Sequence, residues 1–156
     1  MTFHRPLLQL SAFLWLASIV FSACKNASES VAQPTNVAYQ EAKNYFTISS
    51  EMKKMPIKII SQKQLNKFFG MAAYMGKGGN VTMVDFNKYF IIPIALPESY
   101  QETEIAQVRL QGNKKQLHLH YTVKEGKTRS FSTAPLRLIM VSNEYKKAEI
   151  LVSVVR

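Results

Sequence analysis

The most regular pattern in the chain is an alternation. Leu117, Leu119, Tyr121 and Val123 fall on one side, and Gln116, His118, His120 and Thr122 on the other. A period of two is that of a strand with one buried face. Gly112, Asn113 and Lys114 precede it, and Glu125, Gly126 and Lys127 follow it, so a turn is expected at each end. A strand over residues 105–110 comes before. Further strands are expected over residues 129–132 with 137–141, and over residues 150–155. Consecutive strands joined by short turns predict an antiparallel meander.

The first half is less periodic. Residues 44–48 (Asn, Tyr, Phe, Thr, Ile) and 57–60 (Ile, Lys, Ile, Ile) have strand composition. Ser61 then stands where a helix cap belongs, with Gln64 three residues on as a capping-box partner. Leu65, Phe68 and Phe69 share a helical face, and Gly70 is expected to end the helix. Residues 89–96 are continuously apolar and predict a central strand, with Pro93 forcing a bulge or an edge position. The pattern as a whole predicts a β-rich α+β domain. One short helix packs on a twisted antiparallel sheet or a partly closed barrel.

Another apolar run lies at the start. His4 and Arg5 precede residues 7–23, which carry no charge, and Phe21, Ser22 and Ala23 lead into Cys24. A positive end, an apolar stretch and small residues at a cut site make a secretory signal. The placement of Cys24 resembles a bacterial lipobox, whose thiol is lipidated and becomes the first residue of the mature protein. Phe21 departs from the leucine usual there. The competing readings are a transmembrane anchor, for which the run is near the short limit, and a free thiol. The expected organisation is a signal over residues 1–23, a polar tether over 24–42 and one globular domain over 43–156. That places the protein in the bacterial cell envelope as an outer-membrane lipoprotein, held to the membrane by its N-terminal lipid.

Charge and reactive residues narrow the function. The chain has 20 Lys and Arg against 10 Asp and Glu. Outside the cytoplasm nucleic acid is not the expected partner, and pairs such as Lys53 with Lys54 and Lys114 with Lys115 read as solvated turns. Beyond the signal there are two histidines, His118 and His120, one aspartate, Asp85, and no thiol but Cys24. His118 and His120 share a strand face and would need a converging carboxylate to chelate a metal; the polar face of an amphipathic strand accounts for them. Asp85 reads as a turn residue accepting backbone N–H groups. No nucleophile elbow or metal-ligand spacing is present, and Gly76, Lys77, Gly78 and Gly79 lack the strand and Gly-Lys-Ser/Thr ending of a phosphate loop. No enzyme, no cofactor and no metal is expected.

The order of motifs resembles the C-terminal domain of the PrcB family, a module first described in a subunit of a protease complex. The likeness covers roughly residues 57–155. It rests on the helix opening at Ile60, Ser61, Gln62, Lys63, Gln64 and Leu65, and on Val84, Asp85, Phe86, Asn87 and Lys88 before the apolar strand. The alternating residues 117–121 and the late Pro135, Leu136, Arg137, Leu138, Ile139, Met140 and Val141 complete it. In size and layout the chain also resembles the potempin-type lipoproteins, small bacterial inhibitors that sit beside secreted proteases. Both resemblances imply a protease as partner. The expected function is thus a membrane-tethered, monomeric protein-binding module that inhibits a secreted protease. The alternative is a structural or accessory envelope lipoprotein. An inhibitor needs a loop held extended on a rigid scaffold. Two segments qualify: the glycine-rich stretch with Met71, Ala72, Ala73, Tyr74, Met75 and Lys77, and the stretch with Arg129 and Phe131. The competing roles are packing beneath the loop for the first and a hairpin strand for the second.

Overall fold

The structure is a computed structural model and describes residues 35–156. The signal, Cys24 and most of the expected tether lie outside the described residues. Among the described residues the fold is β-rich, with one α-helix and twisted sheets that are not closed into a barrel.

Its frame is one long bent hairpin. Strands β5 (Tyr89–Ala95) and β6 (Ser99–Gly112) form one arm, and β7 (Gln116–Thr133) and β8 (Leu136–Ser142) the other. β6 pairs with β7 and β5 with β8, both antiparallel. The Leu96 N–H donates to the Pro135 carbonyl at 2.9 Å, which carries the pairing through the bend. The turn at the far end depends on Gly112, whose φ is +143°; a Cβ there would lie 2.1 Å from the Gln116 carbonyl oxygen. Asn113 Oδ1 accepts the N–H groups of Lys115 and Gln116 and fixes the same turn.

The bend divides the hairpin into two sheets. One has the order β1-β6-β7-β9, with β1 at Thr35–Asn36 and β9 at Glu149–Val155. The other has the order β2-β8-β5, with β2 at Tyr39–Ala42. Their inner faces meet: Phe90, Ile92 and Ile94 of β5 and Ile139 and Val141 of β8 join Leu117 and Leu119 of β7 in one buried cluster. The outer face of the β2-β8-β5 sheet is covered as well. There Ile91, Leu138 and Met140 pack with Leu65 and Phe68 of helix α1 (Gln62–Phe68) and with Phe69 and Ile59. Burial on both faces is why residues 89–96 are apolar without alternation, whereas the one-faced residues 117–123 alternate.

Several sequence expectations hold. Leu117, Leu119 and Val123 are buried and His118 and His120 lie on the opposite, part-exposed face, but Tyr121, expected to be buried with the leucines, is only half-buried. Leu65, Phe68 and Phe69 are buried, and the Ser61 hydroxyl accepts the Gln64 N–H. Gln64 Oε1 in turn accepts the Ile60 N–H. Pro93 sits on an edge strand without a bulge. Ile91 turns both its N–H and its carbonyl outward to Ile59, so Pro93, two residues on, has its nitrogen on the outer side where no ladder bond is lost.

Others are corrected. The folded chain starts before residue 43, because β1 and β2 lie inside the expected tether and bury Val37 and Ala42. Residues 57–60 make a single bridge, Ile59 to Ile91, instead of a strand. The helix ends at Phe68, and Phe69 turns extended to begin β4 (Phe69–Met71). Gly70 instead admits the Phe46 ring of the paired strand β3 (Tyr45–Thr47); a Cβ would lie 2.3 Å from that ring. Glu125, Gly126 and Lys127 do not turn the chain; β7 runs through them. The meander is broken, since β9 pairs parallel to β7 after the chain has crossed to the other sheet in β8.

Candidate functional site

The glycine-rich stretch leaves the sheet at Met71 and is closed on itself. The Tyr74 N–H donates to the Gly79 carbonyl at 3.1 Å, and the Gly79 N–H to the Gly76 carbonyl at 3.2 Å. Three glycines make that turn possible, and Gly76 has a φ of +118°. Gly78 has a φ of +84°, and a Cβ on Gly79 would collide with the Tyr74 carbonyl at 1.8 Å. A side chain could not be placed on Gly79 without opening the loop.

The base of the loop is held by Asn44. Its φ is 64°, a left-handed conformation in which Asn is among the residues least disfavoured. From there its Nδ2 donates to the carbonyls of Gly78 and Asn80, both at 2.7 Å, and its own carbonyl accepts the Ala72 N–H at 2.9 Å. Thr82 closes the other side. Its N–H donates to the Lys43 carbonyl, its Oγ1 accepts the Lys43 N–H at 3.0 Å, and its carbonyl accepts the Tyr45 hydroxyl at 2.8 Å. Partial burial pushes the Tyr45 pKa up from its ordinary value.

The apolar side chains of this loop do not turn inward. Met75 is fully exposed, Tyr74 is 59% exposed and Met83 is 72% exposed. Met71 is exposed too, as are Ala72, Ala73 and Lys77. The alternative of packing beneath the loop is therefore not realised. What the chain presents is a backbone fixed at its neck and a tip of sulfur and aromatic groups in water. Such a surface suits an adaptable contact with another protein.

The second candidate segment is the last part of the hairpin strand β7, the competing role named for it, and makes no tight turn. Ser99 pairs with Thr133 and Gln101 with Thr128, so residues 129–132 face Tyr100 alone. This is a large bulge. Its side chains are partnered within the domain: the Arg129 guanidinium meets Glu102, lies 5.5 Å from the centre of the Phe131 ring, and Ser132 donates to Glu98. Phe131 and Tyr100 are 56% and 60% exposed. The loop and the bulge thus form two separate surface features. Sequence reasoning missed Asn44 and Tyr100. An Asn directly before a strand signals a left-handed residue, whereas nothing marks Tyr100 before the register is known.

Asp85, His118 and His120 make local contacts within the domain. Asp85 Oδ1 accepts the Asn87 N–H at 3.0 Å, and its backbone carbonyl accepts those of Lys88 and Tyr89. The Asn87 bond foremost, with Lys88 beside it, holds the Asp85 carboxyl below its usual pKa. His118 and His120 stack at 6.3 Å between ring centres, and His118 Nε2 lies 3.1 Å from Gln116 Oε1. Among the described residues no three of His, Cys, Asp and Glu stand together as a metal site. None of their helices is long and apolar enough to cross a membrane. No family model matches the chain, and no curated protein and no solved structure matches it either.

Proposed function

We propose that this protein is a protein-binding module tethered to the bacterial envelope through Cys24, and that its target is a secreted protease which it inhibits without catalysis of its own. The observation that carries the binding role is the loop over residues 71–80. Its backbone is pinned by Asn44 and Thr82 while Tyr74 and Met75 stand in solvent. Exposed apolar groups raise the free energy of the free protein and are released from water on contact. A pinned backbone loses little entropy when a partner closes on it. The same rigidity would keep a loop seated in a protease cleft from relaxing after cleavage. The protease as target rests on the resemblance to the PrcB-family module and to the potempin-type layout.

The test is a titration of the chain against secreted proteases of the serine, cysteine and metal-dependent classes. Stoichiometric inhibition of one of them supports the reading. If none is bound or slowed, the inhibitor role falls and the envelope-accessory role replaces it.

A further inference from the structure

The edges of the two sheets are unequally protected. β1 contributes two of the described residues, and β2 is only four residues long. β5 carries Pro93 and is bridged by Ile59. β9 has none of these devices. It is seven residues long, reads Glu, Ile, Leu, Val, Ser, Val, Val, and pairs only with β7 among the described strands. Leu151, Val152, Val154 and Val155 are all exposed. A long, apolar and unblunted edge is a template for another strand.

The free groups on that edge can be assigned. The Glu149 N–H points toward β7, where it donates to the Lys115 carbonyl at 2.9 Å. In a strand the direction of the backbone groups alternates, so Ile150, Val152 and Val154 turn their N–H and carbonyl groups away from β7. Pairing in parallel would set Glu149 against Glu149 and Arg156 against Arg156. Antiparallel pairing brings the Glu149 end of one strand to the Arg156 end of the other.

We propose that two copies of this chain join through β9 in an antiparallel, two-fold arrangement centred on Val152. A two-fold axis normal to the sheet keeps like faces together, so residues of the same parity must oppose each other. With Val152 at the centre, Val152 faces Val152 of the second copy, and Ile150 faces Val154. Each outward N–H then meets an outward carbonyl. Leu151 faces Ser153, and Glu149 faces Val155 next to Arg156. This register uses the whole strand and departs from the monomer expected of the sequence. It is independent of the loop over residues 71–80.

The test is sedimentation of the full chain in mild detergent, with Val152→Lys and Val154→Lys as variants and melting curves as the control for folding. The unaltered chain should sediment as a concentration-dependent dimer. Each variant should weaken association by at least about tenfold. In a Cys24→Ala background, Val152→Cys supplies the chain's sole thiol. A hydrogen-bonded antiparallel pair holds its Cα atoms about 5.5 Å apart, within disulfide range, so mild oxidation should give a covalent dimer. A chain that stays monomeric at every concentration overturns the proposal. So does a dimer that survives both lysine variants, or a Val152→Cys chain that does not cross-link.

Discussion

The loop over residues 71–80 and the bulge over residues 129–132 both carry large apolar groups into solvent, and they are held there by opposite means. In the loop the backbone is pinned and the side chains are left over. Asn44, Thr82 and Tyr45 hold main-chain groups at the neck, while Tyr74 and Met75 stand out in water. In the bulge the side chains hold one another. Arg129 meets Glu102 and lies over Phe131, and Ser132 meets Glu98. A partner can cover the loop tip without breaking any of the neck hydrogen bonds. To use Arg129 it must first replace Glu102. That difference is why the binding role is placed on the loop.

Both features stand on the packed clusters of the two sheets. Leu119 is almost completely buried between the sheets. Leu119→Ala should cost about 2–5 kcal/mol, read as a shift in the chemical-denaturation midpoint. A shift of a few tenths would mean that the β7 face is packed differently from this account.

The neck comes next in size. Asn44→Ala removes two side-chain hydrogen bonds and leaves a left-handed residue without its preferred side chain. It should cost about 1–2 kcal/mol, much of it local. Hydrogen exchange at the Tyr74 and Gly79 amides should speed up by on the order of tenfold, while amides of β5 and β8 change less. Equal acceleration everywhere would show that the loop is not a separable unit. The smallest effect is expected at the bulge. Glu102→Gln breaks a partly exposed ion pair, so the stability change should stay within about 1 kcal/mol and shrink with added salt. A larger, salt-independent loss would mean that the bulge is part of the structural frame.

Much of the frame was legible in the pattern of residues, and the failures have a common cause. Residues 117–123 declare a one-faced strand, and Ser61 with Gln64 declares a helix start, because those signals are local. Glu125, Gly126 and Lys127 have the composition of a turn, yet pairing with β6 holds them extended, and the extra residues are absorbed as a bulge. Gly70 has the composition of a helix stop, but its place is set by the Phe46 ring across the ladder. The parallel pairing of β9 depends on where β8 crosses, which no local signal encodes. The candidate loop was visible in its glycines and methionines. Its exposure was not, because burial is decided by the neck bonds that Asn44 makes to residues far along the chain.

The central claim is that the apolar tip of the loop contacts the target while its neck only holds it in place. The most direct measurement is the inhibition constant, against the protease found by titration, of a chain carrying Tyr74→Ser and Met75→Ser together. These side chains are exposed, so the denaturation midpoint should barely move. Inhibition should weaken by at least about a hundredfold, on the scale of two or more lost apolar contacts. His118→Ala with His120→Ala should leave it unchanged. Inhibition that survives the loop changes, or that fails with the histidine changes, would contradict the account.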